Sequence, residues 1–291
     1  MEIAIHGRLF NETAKPFIQS MFDELKSRDV EVQISKTYAE VLANAEVETH
    51  SYIEFESAND YKGADFLLSL GGDGTLLDSL TYIGAKETPI LGINTGRLGF
   101  LATVSPENLL IELAMLFQGK FEIEKRSLVS IESNIDIFNG VNFGLNELGI
   151  MKTDTSSMIV IKTYLNDEFL NSYWADGLIV STPTGSTGYN LSVGGPVVTP
   201  TAGIFVISPM SPHNLNVRPL VVSDNSKLRF EVESRSKSFL VSLDSRSKVV
   251  DDTTIISLKK ESFQAYLVKI RGSDFLDTLR SKLNWGLDYR N

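Results

Sequence analysis

The sequence predicts an α/β domain followed by a β-rich domain. In the first part of the chain, short apolar runs alternate with segments whose apolar residues recur at helical spacing. This alternation is typical of a parallel sheet with helices on both faces. Beyond about Gly119 closely spaced strands follow one another with little helix between them. The 291 residues are enough for two domains, and we predict an α/β domain over residues 1–120 and a β-rich domain over residues 121–271.

The elements of the first part follow from the period of the apolar residues. The predicted strands are Glu2 to Ile5, Val30 to Ile34, Phe66 to Leu70 and Pro89 to Ile93. The predicted helices run from Ala14 to Arg28, from Tyr38 to Ala45, onward from Thr75, and from Ser105 to Phe117. Thr75 is the expected N-cap of the third helix, because a threonine hydroxyl can accept a hydrogen bond from a first-turn N–H.

The second part is predicted to be mainly strands joined by short turns. The strands are Ser127 to Glu132, Asn142 to Ile150, Met158 to Asn166, Glu168 to Trp174, Lys227 to Glu233, Ser238 to Leu243, Thr254 to Leu258 and Ala265 to Ile270. Asn139-Gly140 and Asn166-Asp167 are predicted hairpin turns. A short amphipathic helix is expected from Ser273 to Leu283.

Composition excludes several classes of function. The formal net charge of −10 argues against nucleic acid as a general partner, which normally meets a basic face. No apolar run is long enough to cross a bilayer, and the first residues lack a signal-peptide pattern, so we expect a cytoplasmic protein without a membrane partner. The chain has no cysteine, which excludes disulfides and thiolate chemistry, and its three histidines are widely scattered.

Gly71-Gly72-Asp73-Gly74-Thr75 is the segment around which the first domain is organised. It joins a predicted buried strand to a helix N-terminus, where exposed N–H groups and the helix dipole suit phosphate. The carboxylate of Asp73 repels phosphate, so this residue should instead orient a hydroxyl, accept a proton or hold a metal. The alternative is a tight turn in which Asp73 only caps the helix. Both interpretations are open on this segment alone.

Two further segments carry candidate binding residues. Ser181 to Gly188 is dense in hydroxyls and glycines that suit a ribose-phosphate surface, and Tyr189 adds a ring for stacking. The alternative is an ordinary surface loop, against which the apolar residues on both sides argue. Asn146 and Glu147 interrupt an apolar strand, either as an exposed edge or to bind a hydroxyl or amine of a ligand. The P-loop, the Rossmann fingerprint and the protein-kinase motifs are absent from the sequence.

Together these segments resemble the NAD kinase family. The matching motifs are Gly71 to Thr75, Asn94-Thr95-Gly96-Arg97-Leu98-Gly99-Phe100, Asn146-Glu147, Asp176-Gly177 through Pro196, Ser208 to Leu215, Arg218 to Val221, and Ser242 to Ser245. The Gly-Gly-Asp-Gly motif alone also occurs in diacylglycerol, sphingosine and 6-phosphofructokinases. The combination of motifs, in this order, is specific.

The resemblance implies that ATP phosphorylates the adenosine ribose 2′-hydroxyl of NAD+ to give NADP+ and ADP, with a divalent cation such as Mg²⁺. It implies a β-sandwich-like second domain, a tail at about residues 272–291 that returns to the first domain, and a homodimer or homotetramer. The alternatives are a lipid kinase that shares the Gly-Gly-Asp-Gly motif and a catalytically inactive NAD(P)-binding sensor.

Carried over residue by residue, the resemblance implies one catalytic residue, Asp73. The implied NAD-binding residues are Asp73, Gly74, Phe100, Asn146, Glu147, Ser157, Ala175, Asp176, Thr184, Thr187, Gly188, Tyr189, Asn190, Leu191, Ser192 and Arg246. The implied phosphate loop is Gly71, Gly72, Gly74, Thr75 and Arg97, and no metal ligands are assigned. Three residues depart from the family pattern, namely Ser157, Gly188 and Arg246. For Arg246 we expect a contact with a nucleotide phosphate, the alternative being a solvated surface cation.

Overall fold

The computed structural model describes residues 1–96, 99–154, 157–270 and 275–284. Its contacts divide the chain into two compact units. The first unit comprises Met1–Lys125 and the chain from Ala265 onward, and the second unit is Arg126–Gln264.

In chain order the strands are β1 (Glu2–Gly7), β2 (Glu31–Ser35), β3 (Tyr52–Phe55), β4 (Phe66–Gly71), β5 (Ile90–Asn94), β6 (Phe121–Arg126), β7 (Val129–Ser133), β8 (Phe143–Gly144), β9 (Glu147–Lys152), β10 (Ile159–Leu165), β11 (Glu168–Ala175), β12 (Gly177–Ser181), β13 (Ile204–Met210), β14 (Leu220–Ser223), β15 (Leu228–Glu233), β16 (Ser238–Leu243), β17 (Arg246–Asp251), β18 (Ile256–Lys260) and β19 (Ala265–Ile270). The α-helices are α1 (Lys15–Ser27), α2 (Lys36–Asn44), α3 (Asp73–Ile83), α4 (Leu109–Phe117), α5 (Tyr189–Ser192) and α6 (Phe275–Leu283). Short 3₁₀ helices cover Gly84–Lys86, Pro106–Asn108 and Thr184–Thr187.

Among the described residues, the first unit contains one sheet with the strand order β3-β2-β1-β4-β5-β19-β6. The pairs β2–β3, β1–β2, β1–β4, β4–β5 and β5–β19 are parallel. The direction in which the chain adds strands reverses between β1 and β4. In open α/β sheets, ligands bind at the carboxyl ends of the strands beside such a reversal. The turn that begins at Gly71 lies at this place.

Helices cover both faces of this sheet, as predicted. On one face, α1, α2 and α4 bury Ile18, Leu42 and Leu113 against apolar strand residues such as Ile3. The opposite face carries polar groups beneath α3. There Ser79 donates a hydrogen bond to Ser69 over 3.1 Å, and the rings of His6 and Tyr82 lie 5.1 Å apart.

The second unit is the predicted β-rich domain, with a sandwich of two antiparallel sheets. In the part of the chain that the structure describes, their strand orders are β11-β10-β15-β18-β7-β8 and β14-β13-β12-β9-β16-β17. Both sheets contribute to one apolar core, in which the alternating residues Leu228, Phe230 and Val232 of β15 are buried. The predicted turn Asn166-Asp167 is confirmed, since both residues have positive φ and directly join β10 to β11.

Two expectations about the strands were wrong. β19 pairs with β5 in the first unit, although its pattern grouped it with the β-rich part of the sequence. Alternating apolar residues predict that one face of a strand is buried, but they do not predict which strand it pairs with. The strand expected from Asn142 to Ile150 is interrupted between Gly144 and Glu147, because the intervening N–H groups bind a side chain instead of a neighbouring strand.

Candidate active site

The glycine turn after β4 presents open backbone at a helix N-terminus. α3 begins at Asp73, with Gly72 as an N-cap that has no side-chain hydrogen bond, so the expectation that Thr75 caps the helix was wrong. Thr75 is buried, and a Cβ at Gly71 would lie 2.1 Å from its hydroxyl oxygen. A Cβ at Gly72 or Gly74 would meet nothing within 4 Å. Gly71 and Thr75 therefore shape the turn, while Gly72 and Gly74 leave room for a ligand.

The carboxylate of Asp73 is fixed by three consecutive backbone N–H groups. Oδ2 accepts a hydrogen bond from Phe100 over 2.7 Å, and Oδ1 accepts from Leu101 and Ala102 over 3.0 Å each. A Cβ at Gly99 would lie 1.7 Å from Oδ1, so only glycine fits there. Because each carboxylate oxygen has two acceptor positions, Oδ2 can accept one further hydrogen bond. Of the expected phosphate-loop residues, Arg97 lies outside the described residues.

A second glycine-containing turn lies on the same sheet edge, as predicted. It follows β5, whose Asn94 pairs with Gly71 of β4. The Asn94 side chain accepts the N–H of Gly96 over 2.7 Å and thereby closes the turn. Next to it is a cleft of about 250 Å³, lined in part by Thr13 and Glu107. The carboxyl edge of this sheet therefore carries both turns and an open cleft.

Arg8 is a cation at this edge that sequence reasoning passed over. Its N–H donates to Leu70 over 3.1 Å, which places the residue beside the start of the glycine turn. The guanidinium is paired with Asp78 of α3, and the side chain is 59% exposed. An arginine directly after the first strand of a parallel sheet was the available signal, because that position lies on the edge where ligands bind.

In the second unit, Asn146 and Glu147 lie in a bend that Asp244 holds. The Asp244 carboxylate accepts N–H groups from Leu145 over 2.7 Å, from Asn146 over 2.8 Å and from Glu147 over 3.2 Å. Asp244 has a φ of +54° in the turn between β16 and β17. The same arrangement thus occurs in each unit, since Asp73 also accepts three consecutive N–H groups.

The side chains of Asn146 and Glu147 carry polar atoms that are buried and unsatisfied. Among the described residues, Asn146 Oδ1 and Glu147 Oε2 have no hydrogen-bond partner. Burial, and then the nearby charge of Asp244, raise the pKa of Glu147 to about 8. Buried polar atoms in native proteins are normally hydrogen-bonded, so two orphaned oxygens side by side indicate a place for a ligand.

The hydroxyl-rich loop packs directly on this pair. Thr182 donates its hydroxyl to the carbonyl of Leu145 over 2.6 Å, and a Cβ at Gly185 would lie 2.2 Å from the carbonyl oxygen of Asn146. A Cβ at Gly188 would lie 3.3 Å from Glu147 Oε2. The structure therefore brings Asn146, Glu147 and Gly188 together. Thr184 and Thr187 of the adjoining 3₁₀ helix lie in the same loop.

Residues after Gly188 differ in what they can offer a ligand. Tyr189 is 40% exposed and free to stack on a flat ring. Asn190 is fully buried, and its side chain donates to the carbonyls of Ser186 and Pro196 and accepts from Ser208. All its side-chain groups hold the loop, which corrects the expected NAD contact from that side chain. Leu191 and Ser192 complete α5, and Ser192 is exposed.

Arg246 has a different role from the one expected. Its guanidinium donates to the backbone carbonyls of Val141 and Phe143 and lies 5.4 Å from the centre of the Phe138 ring. The group is thus used inside the protein to fasten the segment between β7 and β8. In this structure the Arg246 guanidinium is therefore neither a solvated surface cation nor a group directed at a phosphate, the two roles expected from the sequence.

Ala175, Asp176 and Ser157 lie away from the Asn146–Glu147 pair. Asp176 precedes β12, whereas Glu147 pairs with Ser181 at the other end of that strand. Asp176 and Ser181 are five positions apart along this strand, which corresponds to about 17 Å. Asp176 forms an ion pair of 2.6 Å with Lys152, and Ala175 is buried. Ser157 lines a separate cleft of about 720 Å³ beside Trp174.

Two absences hold for the part of the chain that the structure describes. No three histidine, aspartate or glutamate side chains converge as a group that could hold a metal ion. No helix in the described ranges is long and apolar enough to cross a membrane.

Comparison with known proteins gives consistent matches over the whole chain. Residues 3–121 match the family model for the ATP-NAD kinase N-terminal domain, and residues 145–270 match that for the ATP-NAD kinase C-terminal domain. The chain is 47% identical to an NAD kinase of Cytophaga hutchinsonii over 292 residues, and 38% identical to one of Bacteroides fragilis over 290 residues. Each alignment covers 100% of both chains.

Two solved structures resemble the fold. Yeast NADH kinase complexed with NADH has a TM-score of 0.87 at 21% identity, and the match covers 100% of this chain and 89% of that one. An NAD kinase from Archaeoglobus fulgidus in complex with ATP has a TM-score of 0.75 at 28% identity, and the match covers 98% and 99% of the two chains.

Proposed function

Because this chain belongs to the NAD kinase family and phosphorylates NAD+ with ATP to give NADP+, we propose that Asp73 accepts the proton of the ribose 2′-hydroxyl during phosphoryl transfer. The observation that carries this proposal is the fixed carboxylate of Asp73 between the open backbones of Gly72 and Gly74. Its Oδ2 keeps one acceptor position, which a substrate hydroxyl can fill.

The chemistry of the turn suits this assignment. Phosphoryl transfer depends mainly on positioning and on neutralisation of charge, and a hydroxyl acceptor also needs a base within hydrogen-bond reach. The N-terminus of α3 supplies open N–H groups and the positive end of a helix dipole for phosphate oxygens. Arg8 adds a cation beside the turn. Three different parts of one sheet edge thus serve three requirements of the reaction.

In the second unit, Asn146 and Glu147 bind hydroxyl or amine groups of the NAD+ adenosine. Their orphaned buried oxygens support this role, because a bound ligand would supply the missing donors. Tyr189 stacks on the adenine ring, as its exposed position allows. Thr184, Thr187 and Gly188 complete this side of the site.

Asp176, Ala175 and Ser157 bind the nicotinamide half of NAD+ in a neighbouring subunit of a homodimer or homotetramer. Their distance from the Asn146–Glu147 pair along β12 supports this division. The test is to mix Asp73→Asn subunits with Asp176→Ala subunits at an NAD+ concentration so low that each variant alone is nearly inactive. Shared sites predict recovered activity in the mixture, whereas independent subunits predict none.

A divalent cation, Mg²⁺ in the first instance, arrives with ATP. Mg²⁺ typically combines one or two carboxylates with phosphate oxygens, and the described residues offer no three-carboxylate cage that would hold it alone. When bound, the cation neutralises charge on the β- and γ-phosphates. We further propose a cytoplasmic location, where NAD+ and ATP are both available.

The direct test is to incubate the purified protein with NAD+, ATP and Mg²⁺ and to measure NADP+ with an NADP+-specific dehydrogenase. Parallel reactions with diacylglycerol, sphingosine and fructose 6-phosphate examine the other kinases that share the glycine motif. Calorimetry with NAD+ addresses the inactive sensor. Tight binding of NAD+ without formation of NADP+ would reject the kinase in favour of that sensor.

A further inference from the structure

Asp244 lies in the two-residue turn between β16 and β17. Leu243 pairs with Arg246 across this turn, which leaves Asp244 and Ser245 as its two central residues. The φ of Asp244 is +54°, a left-handed conformation that aspartate adopts readily in two-residue hairpin turns. The Asp244 carboxylate accepts hydrogen bonds from the N–H groups of residues 145–147, which fixes the turn against this segment.

The contact determines the path of the chain before β9. The N–H groups of Leu145 and Asn146 bind Asp244 rather than a neighbouring strand, and the ladder is interrupted there. A Cβ at Gly144 would lie 2.9 Å from Asp244 Oδ1, so the approach of the carboxylate depends on glycine at that position. The bend that results covers Leu145 and Asn146 and ends at Glu147, the first residue of β9.

We propose that Asp244 is a positioning residue of the dinucleotide site, which fixes the bend at Asn146 and Glu147 through the backbone N–H groups of residues 145–147. This inference rests on the proposed role of Asn146 and Glu147 in binding NAD+. Asp244 itself acts through the backbone of these residues and through its charge.

The charged groups around Glu147 define its protonation. Asp244 faces it from the β16–β17 turn, Arg246 follows on β17 and offsets the charge of Asp244, and Arg126 lies behind Thr184. The loop from Thr182 to Gly188 contains no titratable side chain.

Burial raises the pKa of both carboxyl groups, but they differ in the donors that stabilise their charged forms. Burial raises the pKa of Asp244, but three N–H groups and Arg246 oppose this shift by stabilising its charged form. Oε2 of Glu147 has no donor among the described residues, and burial together with the charge of Asp244 raises the pKa of Glu147 to about 8. A neutral Glu147 can donate a hydrogen bond to a ligand as well as accept one.

The test compares Asp244→Asn with Asp251→Asn. The control residue also accepts a backbone N–H, from Thr253 over 2.9 Å, but it is exposed and ends β17, at the opposite end of the hairpin from Asp244. NAD+ dissociation constants are measured by calorimetry between pH 5.5 and 9.5, with near-ultraviolet circular dichroism to verify folding. We expect Asp244→Asn to weaken NAD+ binding roughly 10–100-fold at pH 7, the range for losing charge-assisted hydrogen bonds.

The pH profile separates positioning from mere stabilisation. In the wild type, NAD+ affinity should change with a midpoint near the Glu147 pKa of about 8. Loss of the Asp244 charge should move this midpoint to lower pH, and Glu147→Gln should remove it. Asp251→Asn should leave it in place.

An unchanged midpoint in folded Asp244→Asn would overturn the inference, as would equal affinity losses in Asp244→Asn and Asp251→Asn. If Asp244→Asn does not fold, the Glu147→Gln variant provides the test. A pH dependence of NAD+ affinity that is the same in Glu147→Gln as in the wild type would overturn the inference. Failure of the proposed function looks different, because the wild-type protein would then form no NADP+ at any pH.

Discussion

Gly99 lies so close to Asp73 that a Cβ at position 99 would be 1.7 Å from Oδ1 and 2.5 Å from Cγ. The carboxylate cannot withdraw from such a Cβ without breaking its hydrogen bonds to the N–H groups that follow Gly99. The segment after Gly99 therefore packs closely against the first turn of α3. The position of Asp73, the proposed base, depends on glycine at position 99, which is 26 residues later in the chain.

Gly99→Ala should displace Asp73 and lower kcat about 100-fold, the order expected when a reacting group moves by about 1 Å. Steady-state NADP+ formation measures the effect. The matched control is Gly203→Ala, where a Cβ would have only ordinary contacts at 3.6 Å or more. Equal activity of the two variants would show that Asp73 tolerates displacement.

Asp73→Asn should lower kcat by roughly 10²–10⁴ while NAD+ still binds, because an amide cannot accept the hydroxyl proton. An amide NH₂ would also face one of the N–H groups of residues 100–102, at a cost to folding stability of about 1–3 kcal/mol. Turnover and NAD+ affinity are measured separately, by kinetics and by calorimetry. A kcat close to that of the wild type would refute the role of Asp73 as the base.

Asp176→Ala and Tyr189→Ala should weaken NAD+ binding and leave the melting temperature of the free protein nearly unchanged. Tyr189 is exposed, and the pair of Asp176 with Lys152 is a partly exposed ion pair, worth about 0–1 kcal/mol. Lys152→Ala is the control, since it removes the same ion pair but keeps the Asp176 carboxylate. If Asp176→Ala and Tyr189→Ala both bind NAD+ with the affinity of the wild type, the two residues lie outside the dinucleotide site.

Arg246→Gln should reduce stability rather than discriminate between NAD+ and NADP+. The change leaves the carbonyls of Val141 and Phe143 without their charged donor, at a cost of about 1–3 kcal/mol. Urea denaturation measures this loss, and calorimetry should give equal changes in affinity for both dinucleotides. A selective loss of NADP+ affinity would restore the phosphate contact expected from the sequence.

His6 should make the protein less stable in mild acid. Burial is the main cause that lowers the pKa of His6 from 6.5 to about 4. The pKa of His6 is lower in the folded protein than in the unfolded chain. The contribution of neutral His6 to the free energy of unfolding is therefore complete above pH 6.5 and is lost as the pH falls towards 4. The slope in this window is at most about 1.4 kcal/mol per pH unit.

The measurement for His6 is the free energy of unfolding of wild type and His6→Asn between pH 4 and 7.5. Subtraction of the two curves removes the contribution of the carboxylates, which titrate in both proteins. The difference should narrow steadily below pH 6.5, and a difference that is constant with pH would exclude His6 as the cause.

The sequence by itself determined the local structure and the reaction. The periods of its apolar residues located β1, α1, β4 and β16 to within a few residues, because burial of one face imposes a 3.6- or 2-residue repeat. The glycine turn at a strand–helix junction indicated a phosphate site, and the ordered set of motifs indicated the NAD kinase family. The elements and the family were confirmed because each period and each motif consists of residues that are neighbours in the chain, whereas the phosphate site stays a prediction.

Only the tertiary structure decided which side chains are available to a ligand. The hydrogen bonds of Asp73 to residues 100–102, of Asp244 to residues 145–147 and of Arg246 to Val141 join segments about 27 to 105 residues apart. The place of β19 in the first sheet also depends on a distant partner, since Leu267 pairs with Ile90 of β5. The period of apolar residues in a segment shows which of its faces is buried. Which donors and acceptors meet there depends on how the whole unit packs, and a local sequence pattern does not contain this information.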